Sequence, residues 1–221
     1  MVRGALILLA MALLLTGCES SFDKAARIRA EQGAIEQVTA AEVRQTAGLE
    51  AETLAVIPSA DGITAAAVIR ISASGVGGNV VWAPIEVRLL DASGVEVGTN
   101  NIPGADPTLI HVPSVVDGSS TLYVNDQIAI TGTPVSAEVV VDGTPIPAVV
   151  ADGLEIQDAT VTEDPAFGTT WTATVVNSTA VRQEQIIVQA LLRDGEQVVG
   201  AGIAIVPGLD PGADDLLAVP Q

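Results

Sequence analysis

Side chains that commonly carry catalysis or bind transition metals are scarce in this sequence of 221 residues. It contains one histidine, His111, and one cysteine, Cys18. A Ser–His–Asp triad would have to use His111, which lies in the run LIHVP, and the chain has no Gly-x-Ser-x-Gly turn. We therefore predict that His111 is a half-exposed strand residue. Cysteine nucleophiles within a folded domain and zinc sites of the Cys and His type are excluded by number.

Carboxylates are plentiful, with 27 Asp and Glu against 9 Lys and Arg. A pair of carboxylates can hydrolyse a glycosidic bond, so a hydrolase of that kind is one alternative. Carbohydrate sites usually use aromatic platforms, and this chain has two Trp, one Tyr and two Phe. We interpret Trp82 and Trp171 as packing residues. The acids Asp210, Asp214 and Asp215 are a calcium candidate, but their spacing differs from the EF-hand loop, and we predict a solvated turn with no metal and no cofactor.

The net charge of −18 and the lack of any Lys or Arg run exclude two kinds of partner. Nucleic-acid binding depends on basic side chains that neutralise phosphates. Attraction to anionic lipid headgroups depends on a basic patch in the same way. We expect no nucleic-acid partner and no electrostatic binding to lipid.

The first residues are typical of an export signal. The apolar run from Ala5 to Leu15 has 11 residues, which is short of the roughly 20 that a membrane-spanning helix needs. It suits a secretory signal peptide, predicted here as residues 1–17.

The run ends in Leu15, Thr16, Gly17 and Cys18, a pattern that resembles the lipobox of bacterial lipoproteins. The resemblance implies cleavage before Cys18 and a diacylglyceryl group with further fatty acid, such as palmitate, on that residue. It implies a protein of the cell envelope, outside the cytoplasm, held on a membrane by its N-terminal lipid.

Residues 18–47 differ from the rest of the chain. They are rich in Ala, Glu, Gln and Arg, which favour helix. The apolar positions Ile28, Ile35, Val38 and Val43 form a poor stripe. We predict a short helical or extended tether.

The remainder repeats itself. Gly48-Leu49-Glu50 recurs 105 residues later from Gly153, and Asp106-Pro107 recurs 104 residues later at Asp210. The alternating segment 83–91 matches 186–194 at an offset of 103. Offsets that stay within 103 to 105 indicate a tandem duplication. We predict a first domain at 48–143, a Pro-rich linker at 144–152 and a second domain at 153–221.

Short strands separated by turns fill both predicted domains. Ile85, Val87 and Leu89 alternate with polar residues, which indicates one buried face. The turn that follows spans Asp91 to Gly94, and its counterpart is the dipeptide Asp194-Gly195, a favoured hairpin turn. Asp at the start of such a turn is expected to accept hydrogen bonds from the backbone. The pattern predicts an all-β fold of two tandem antiparallel β-sandwiches.

This hairpin resembles a small immunoglobulin-like family of bacterial and archaeal envelope lipoproteins, named for a Phe-x-Leu-Tyr-Asp motif. The chain has Val87-Arg88-Leu89-Leu90-Asp91 and Ala190-Leu191-Leu192-Arg193-Asp194, so Leu and Asp are kept twice while Phe and Tyr are absent. The resemblance covers most of residues 48–221. It implies two immunoglobulin-like domains in an envelope setting, and no shared catalytic residues.

We therefore expect a lipid-anchored, non-enzymatic binding or spacer module with a protein partner of unknown identity. An accessory subunit of an envelope transport or secretion assembly is a further alternative. After Asp106-Pro107 the first domain has two more strand-like runs, 121–131 and 137–141, whereas after Asp210-Pro211 there is one, 216–219. The second domain is predicted to lack a final strand and to leave an edge open near Val219. The alternative is a shorter sandwich that closes by itself.

Overall fold

The computed structural model describes residues 43–147, 153–164 and 168–220. Within these ranges the chain forms thirteen strands and one short 3-10 helix, and every pairing between strands is antiparallel. The predicted all-β fold is confirmed. The signal peptide, the lipobox and most of the predicted tether lie outside the described residues.

The first half of the described chain contains two sheets. Its elements are β1 (Leu49–Pro58), β2 (Thr64–Ala73), β3 (Asn79–Leu90), β4 (Glu96–Thr99), the 3-10 helix (Pro107–Leu109), β5 (His111–Val115), β6 (Ser120–Ala129), β7 (Ser136–Val141) and β8 (Pro145–Ile146). One sheet has the order β1-β2-β6, and in the other β3 pairs with β4, β5, β7 and β8. The strand β8 lies inside the predicted linker, where Pro145 pairs with Val80 of β3.

The second half repeats this plan with fewer strands. One sheet has the order β9-β10-β13, and the other consists of β11 and β12. The elements are β9 (Leu154–Asp164), β10 (Gly168–Asn177), β11 (Gln183–Asp194), β12 (Gln197–Leu209) and β13 (Asp214–Pro220). The strand predicted at 216–219 is part of β13.

Each half has its own apolar core between its sheets. In the first half, the alternating residues Ile85, Val87 and Leu89 of β3 are buried, as their pattern predicts. In the second half, Ile186 and Val188 of β11 pack with Val175 and Val206. Branched aliphatic side chains therefore fill both cores, in agreement with the low aromatic content.

A third apolar cluster, the junction cluster, joins the two halves. It combines Ala66, Val68 and Val124 of the first half with Val198 and Ala201 of β12. Residues 65–69 of β2 are all buried because one face of the strand meets the first core and the other meets the junction cluster. The two halves thus share buried surface.

An unusual backbone conformation occurs at equivalent positions in the two halves. Trp82 in β3 has a φ of 56° and Gln185 in β11 has a φ of 53°, which are unusual for residues with a side chain. The pairing register is continuous on either side of each residue, and the positions opposite them on the partner strands are Pro113 and Pro207. The same left-handed backbone at the same place in each half supports the duplication inferred from the sequence.

The two hairpin turns are formed differently from one another. The Asp91 side chain accepts from the N–H groups of Ser93 and Val95 at 2.8 and 2.9 Å, and Gly94 has a φ of 77°. This confirms the capping role predicted for Asp91. In the second hairpin Asp194 pairs with Gln197, so the turn is Gly195-Glu196, one residue later than predicted. Gly195 has a φ of 59° and occupies the first central position of the turn. Glycine is preferred at this position in a type II′ turn.

Candidate functional site

The predicted lipid attachment site, Cys18, and the lipobox residues before it, Leu15, Thr16 and Gly17, lie outside the described ranges. Among the residues that the structure describes, no helix is long and apolar enough to cross a membrane.

His111 has a structural environment at the start of β5. Its Nδ1 lies 2.9 Å from the carbonyl oxygen of Pro107, and its ring stacks on Trp82 with centroids 5.1 Å apart. Both rings are half-buried. The prediction of a half-exposed strand histidine is confirmed.

Trp171 packs against the core of the second half, as predicted. It lies opposite Val161 of β9, and it is half-buried. It also lines the open side of that core, next to Ala190 and Leu192 of β11.

The acids of the calcium candidate do not form one cluster. Asp210 accepts from Nη1 of Arg182 at 2.7 Å, while Asp214 and Asp215 are exposed in β13. Within 43–147, 153–164 and 168–220 no group of three or more His, Cys, Asp or Glu is arranged to hold a metal ion. Asp210 is better described as the partner of Arg182.

Asn177 matches a glycosylation motif but serves the fold. It is fully buried, and its amide donates to the carbonyl oxygens of Val181 and Leu209 at 3.0 and 2.8 Å. Its Oδ1 accepts from Thr179 N–H at 3.0 Å. A buried amide with both hydrogens engaged is not available for modification, and it fixes the turn between β10 and β11.

A buried polar network that the sequence did not reveal crosses the core of the first half. The Asn100 amide lies 2.9 Å from the Tyr123 hydroxyl, and Asn100 Oδ1 accepts from the N–H of Val87 at 2.7 Å. The Tyr123 hydroxyl donates to the carbonyl oxygen of Leu109. Burial raises the pKa of Tyr123 to about 12, although hydrogen bonds from Asn125 and Asn100 partly oppose the shift. The group stays neutral and structural, because the cost of burying a charged phenolate outweighs these hydrogen bonds.

A cavity of about 320 Å³ lies beside the junction cluster. Its lining includes Ser59 and Thr64 of the first half, Val199 and Ala201 of the second, and one carboxylate, Asp126. Burial raises the pKa of Asp126, and weaker hydrogen bonds, including one from the N–H of Ile203, oppose the shift. Its Oδ1 is buried with no hydrogen-bond partner in the described structure. With one carboxylate this cavity lacks the pair that a glycosidase needs.

A small apolar crevice of about 10 Å³, the β9–β11 slot, lies on the open side of the second half. It is lined by Val161, Thr169, Trp171, Ala190, Leu191 and Leu192. Val161 of β9 is 50% exposed although it lies on the face that carries the core. The slot therefore presents apolar surface beside a strand, which is a geometry suited to binding another strand.

Comparison with models of protein families, with curated proteins and with solved structures gave no match for this chain. The resemblance to the Phe-x-Leu-Tyr-Asp family stays a prediction.

Proposed function

We propose that the protein is a lipid-anchored, non-enzymatic component of a bacterial cell envelope that acts as a binding or spacer module. The observation that carries the anchor is the pattern Leu15-Thr16-Gly17-Cys18 directly after a short apolar run. The lipid would be attached to Cys18. Residues 19–44 would separate the β-rich part from the membrane, since Gln45 and Thr46 of the predicted tether already hydrogen-bond to Val141 at the end of β7.

Two features of the described chain support a module without chemistry of its own. His111 is occupied by Trp82 and Pro107, and the junction cavity has a single carboxylate. The junction cluster favours one continuous body over two freely jointed domains, which suits a spacer. We propose that each half is an immunoglobulin-like sandwich of the Phe-x-Leu-Tyr-Asp type.

The anchor is tested by metabolic labelling with an alkyne-bearing fatty acid. We expect the natural chain to be labelled and Cys18→Ser to be unlabelled, because the acyl chemistry requires the thiol. Gly17→Ala is the matched control, since alanine is accepted at that lipobox position, and its labelling should persist. Undiminished labelling of Cys18→Ser would exclude lipid attachment at this residue.

An accessory role in an envelope transport or secretion assembly is a second candidate. It is favoured by the β9–β11 slot, because a strand-binding groove implies a protein partner. Crosslinking of intact membranes followed by purification of the full chain separates the two. A stoichiometric crosslinked partner supports the assembly, and recovery of the free chain supports an independent module.

A further inference from the structure

In the first half, β3 forms hydrogen bonds along both of its edges. The N–H of Asp142 donates to Pro84 at 2.9 Å, beside β7, and the N–H of Val135 donates to Leu90 at 2.8 Å on the same side. The N–H of Ile85 donates to Ile110 at 3.0 Å on the other side. Because backbone groups alternate along an antiparallel strand, the even-numbered residues of β3 face β7.

The pairing register of β11 shows that its backbone groups alternate between its two edges in the same way. Leu192 lies opposite Gly200 in β12, as Leu89 lies opposite Gly98 in β4. The backbone groups of Gln189 and Leu191 therefore correspond to those of Glu86 and Arg88, which pair with β7. Among the described residues β11 pairs only with β12, so these groups of β11 have no ladder partner. The strand that is missing by comparison with the first half would pair with β11, because β13 occupies the position of β6. As the last strand in the order β9-β10-β13, β13 also leaves an outer edge unpaired among the described residues, which is where the sequence predicted an open edge near Val219.

The side chains next to this edge are exposed as though a strand were missing. Ile156 and Val161 lie opposite Val175 and Trp171, on the core side of their sheet, yet they are 49% and 50% exposed.

Their first-half counterparts, 105 residues earlier, are Ala51 and Val56, and both pack against the first core. Trp171, which stands where the first half has Ala67, covers only part of this face. The remaining apolar surface is what a strand in the position of β7 would cover.

The edge of β11 also lacks the residues that usually prevent an unpaired strand from pairing with another chain. Unpaired edges are usually blocked by charges or proline. The free edge strand β9 carries Glu155, Asp158 and Glu163, and β13 carries Asp214, Asp215 and Pro220. The segment 186–192 of β11 contains neither a charge nor a proline.

We propose that β11 and the β9–β11 slot accept an extended strand from another protein, antiparallel to β11. The strand β7 indicates its chemistry. Ala137 and Val139 pack against the first core and Val141 belongs to it, so the ligand should be apolar at alternate positions. Glu138 of β7 pairs with Arg88 at 3.1 Å, but Leu191 takes that place in β11, so the ligand should be neutral there.

A second copy of β11 suits the slot less well, because its inward side chains are already buried in its own core. The inference specifies the ligand of the binding role proposed above. It does not depend on the lipid.

The test uses a fluorescent peptide with the sequence of residues 135–142, carrying Glu138→Thr, and the full chain in detergent. We expect saturable binding by fluorescence anisotropy. N-methylation at positions 138 and 140, whose N–H groups would face β11, should weaken binding at least tenfold. N-methylation at Val139, whose N–H would face away, is the matched control and should leave binding within about twofold.

Two variants of the protein test the same site from the other side. Gln189→Pro removes an N–H that faces the open edge, and β3 tolerates proline at Pro84 in the same alternation. Val161→Glu places a charge on an exposed slot residue, so it should not impair folding. Each should weaken peptide binding at least tenfold, while Ile205→Glu, at an exposed residue outside the slot, should not.

The outcomes of the peptide-binding measurements distinguish the proposal from its alternatives. Saturable binding that follows these differences supports the proposal. Absence of binding to the natural chain, or binding indifferent to both Val161→Glu and the N-methyl positions, overturns it. Dimerisation lost in Gln189→Pro without peptide binding would instead assign the edge to a second copy. None of these outcomes affects the labelling of Cys18, so the two proposals fail separately.

Discussion

The two halves of the described chain contain equivalent strands in the same order. They differ in how completely these strands enclose the apolar core. In the first half β3 has strands along both edges, whereas β11 has one along a single edge. The difference affects the burial of the two equivalent leucines. Leu89 is fully buried, and its counterpart Leu192 is half-buried beside the slot.

The second half compensates by packing against the first. Val198 and Ala201 of β12, with Leu191 of β11 beside them, lie in the junction cluster. The first half in turn has the network of Asn100 and Tyr123, which ties β3 and β6 to the segment before β5. One half thus has a closed core, and the other has a more open core together with a contact to its neighbour.

The largest expected effect comes from truncating the paired leucines. Leu89→Ala should lower the free energy of unfolding by about 3 kcal/mol, because it leaves a cavity in a closed core. Leu192→Ala should cost about 1 kcal/mol, since its site is already partly hydrated. Denaturant unfolding of both variants measures the difference. Equal losses would mean that the second core is as closed as the first.

The junction is tested by cutting the chain and asking whether the halves stay together. A specific protease site placed within 148–152 should, after cleavage, give fragments that co-elute in size-exclusion chromatography. Val198→Asp buries an unpaired charge in the junction cluster and should weaken this association by about 2 kcal/mol or more.

The exposed residue Ile205 provides the control, and Ile205→Asp should leave the cleaved fragments together. Separation of the natural fragments directly after cleavage would show that the junction contributes little.

Much of the strand plan could be predicted, because it rests on local patterns. Alternation of apolar and polar residues predicted β3 and β11, and the nearly constant offset of the repeat predicted which segments are equivalent. The register error at Asp194-Gly195 arose because Asp-Gly and Gly-Glu are both acceptable turns, and pairing with Gln197 decides between them.

The site features were harder to predict because they depend on contacts distant in sequence. The raised pKa of Asp126 depends on its burial beside β12, which is distant in sequence. The structural role of Tyr123 depends on its hydrogen bonds with Asn100 and Leu109. The missing strand was inferred by comparing the repeats, but which edge it leaves open depends on β13 pairing with β10.

The smallest expected effect concerns Asp126, which marks the boundary between the halves. Burial raises its pKa in the folded protein, so the folded state favours the protonated carboxyl. Its contribution to stability is then fully present below the pKa of the unfolded chain, about 3.9, and is lost as the pH rises through the folded pKa. Asp126→Asn removes this charge and should stabilise the protein at pH 7 by no more than about 1 kcal/mol, because the half-exposed group is screened by water. The gain should shrink towards zero below pH of about 3.9, as the natural carboxyl becomes neutral. Thermal unfolding of both proteins across this range measures it, and a variant that is destabilised at pH 7 would mean that the Asp126 carboxylate is satisfied at the junction.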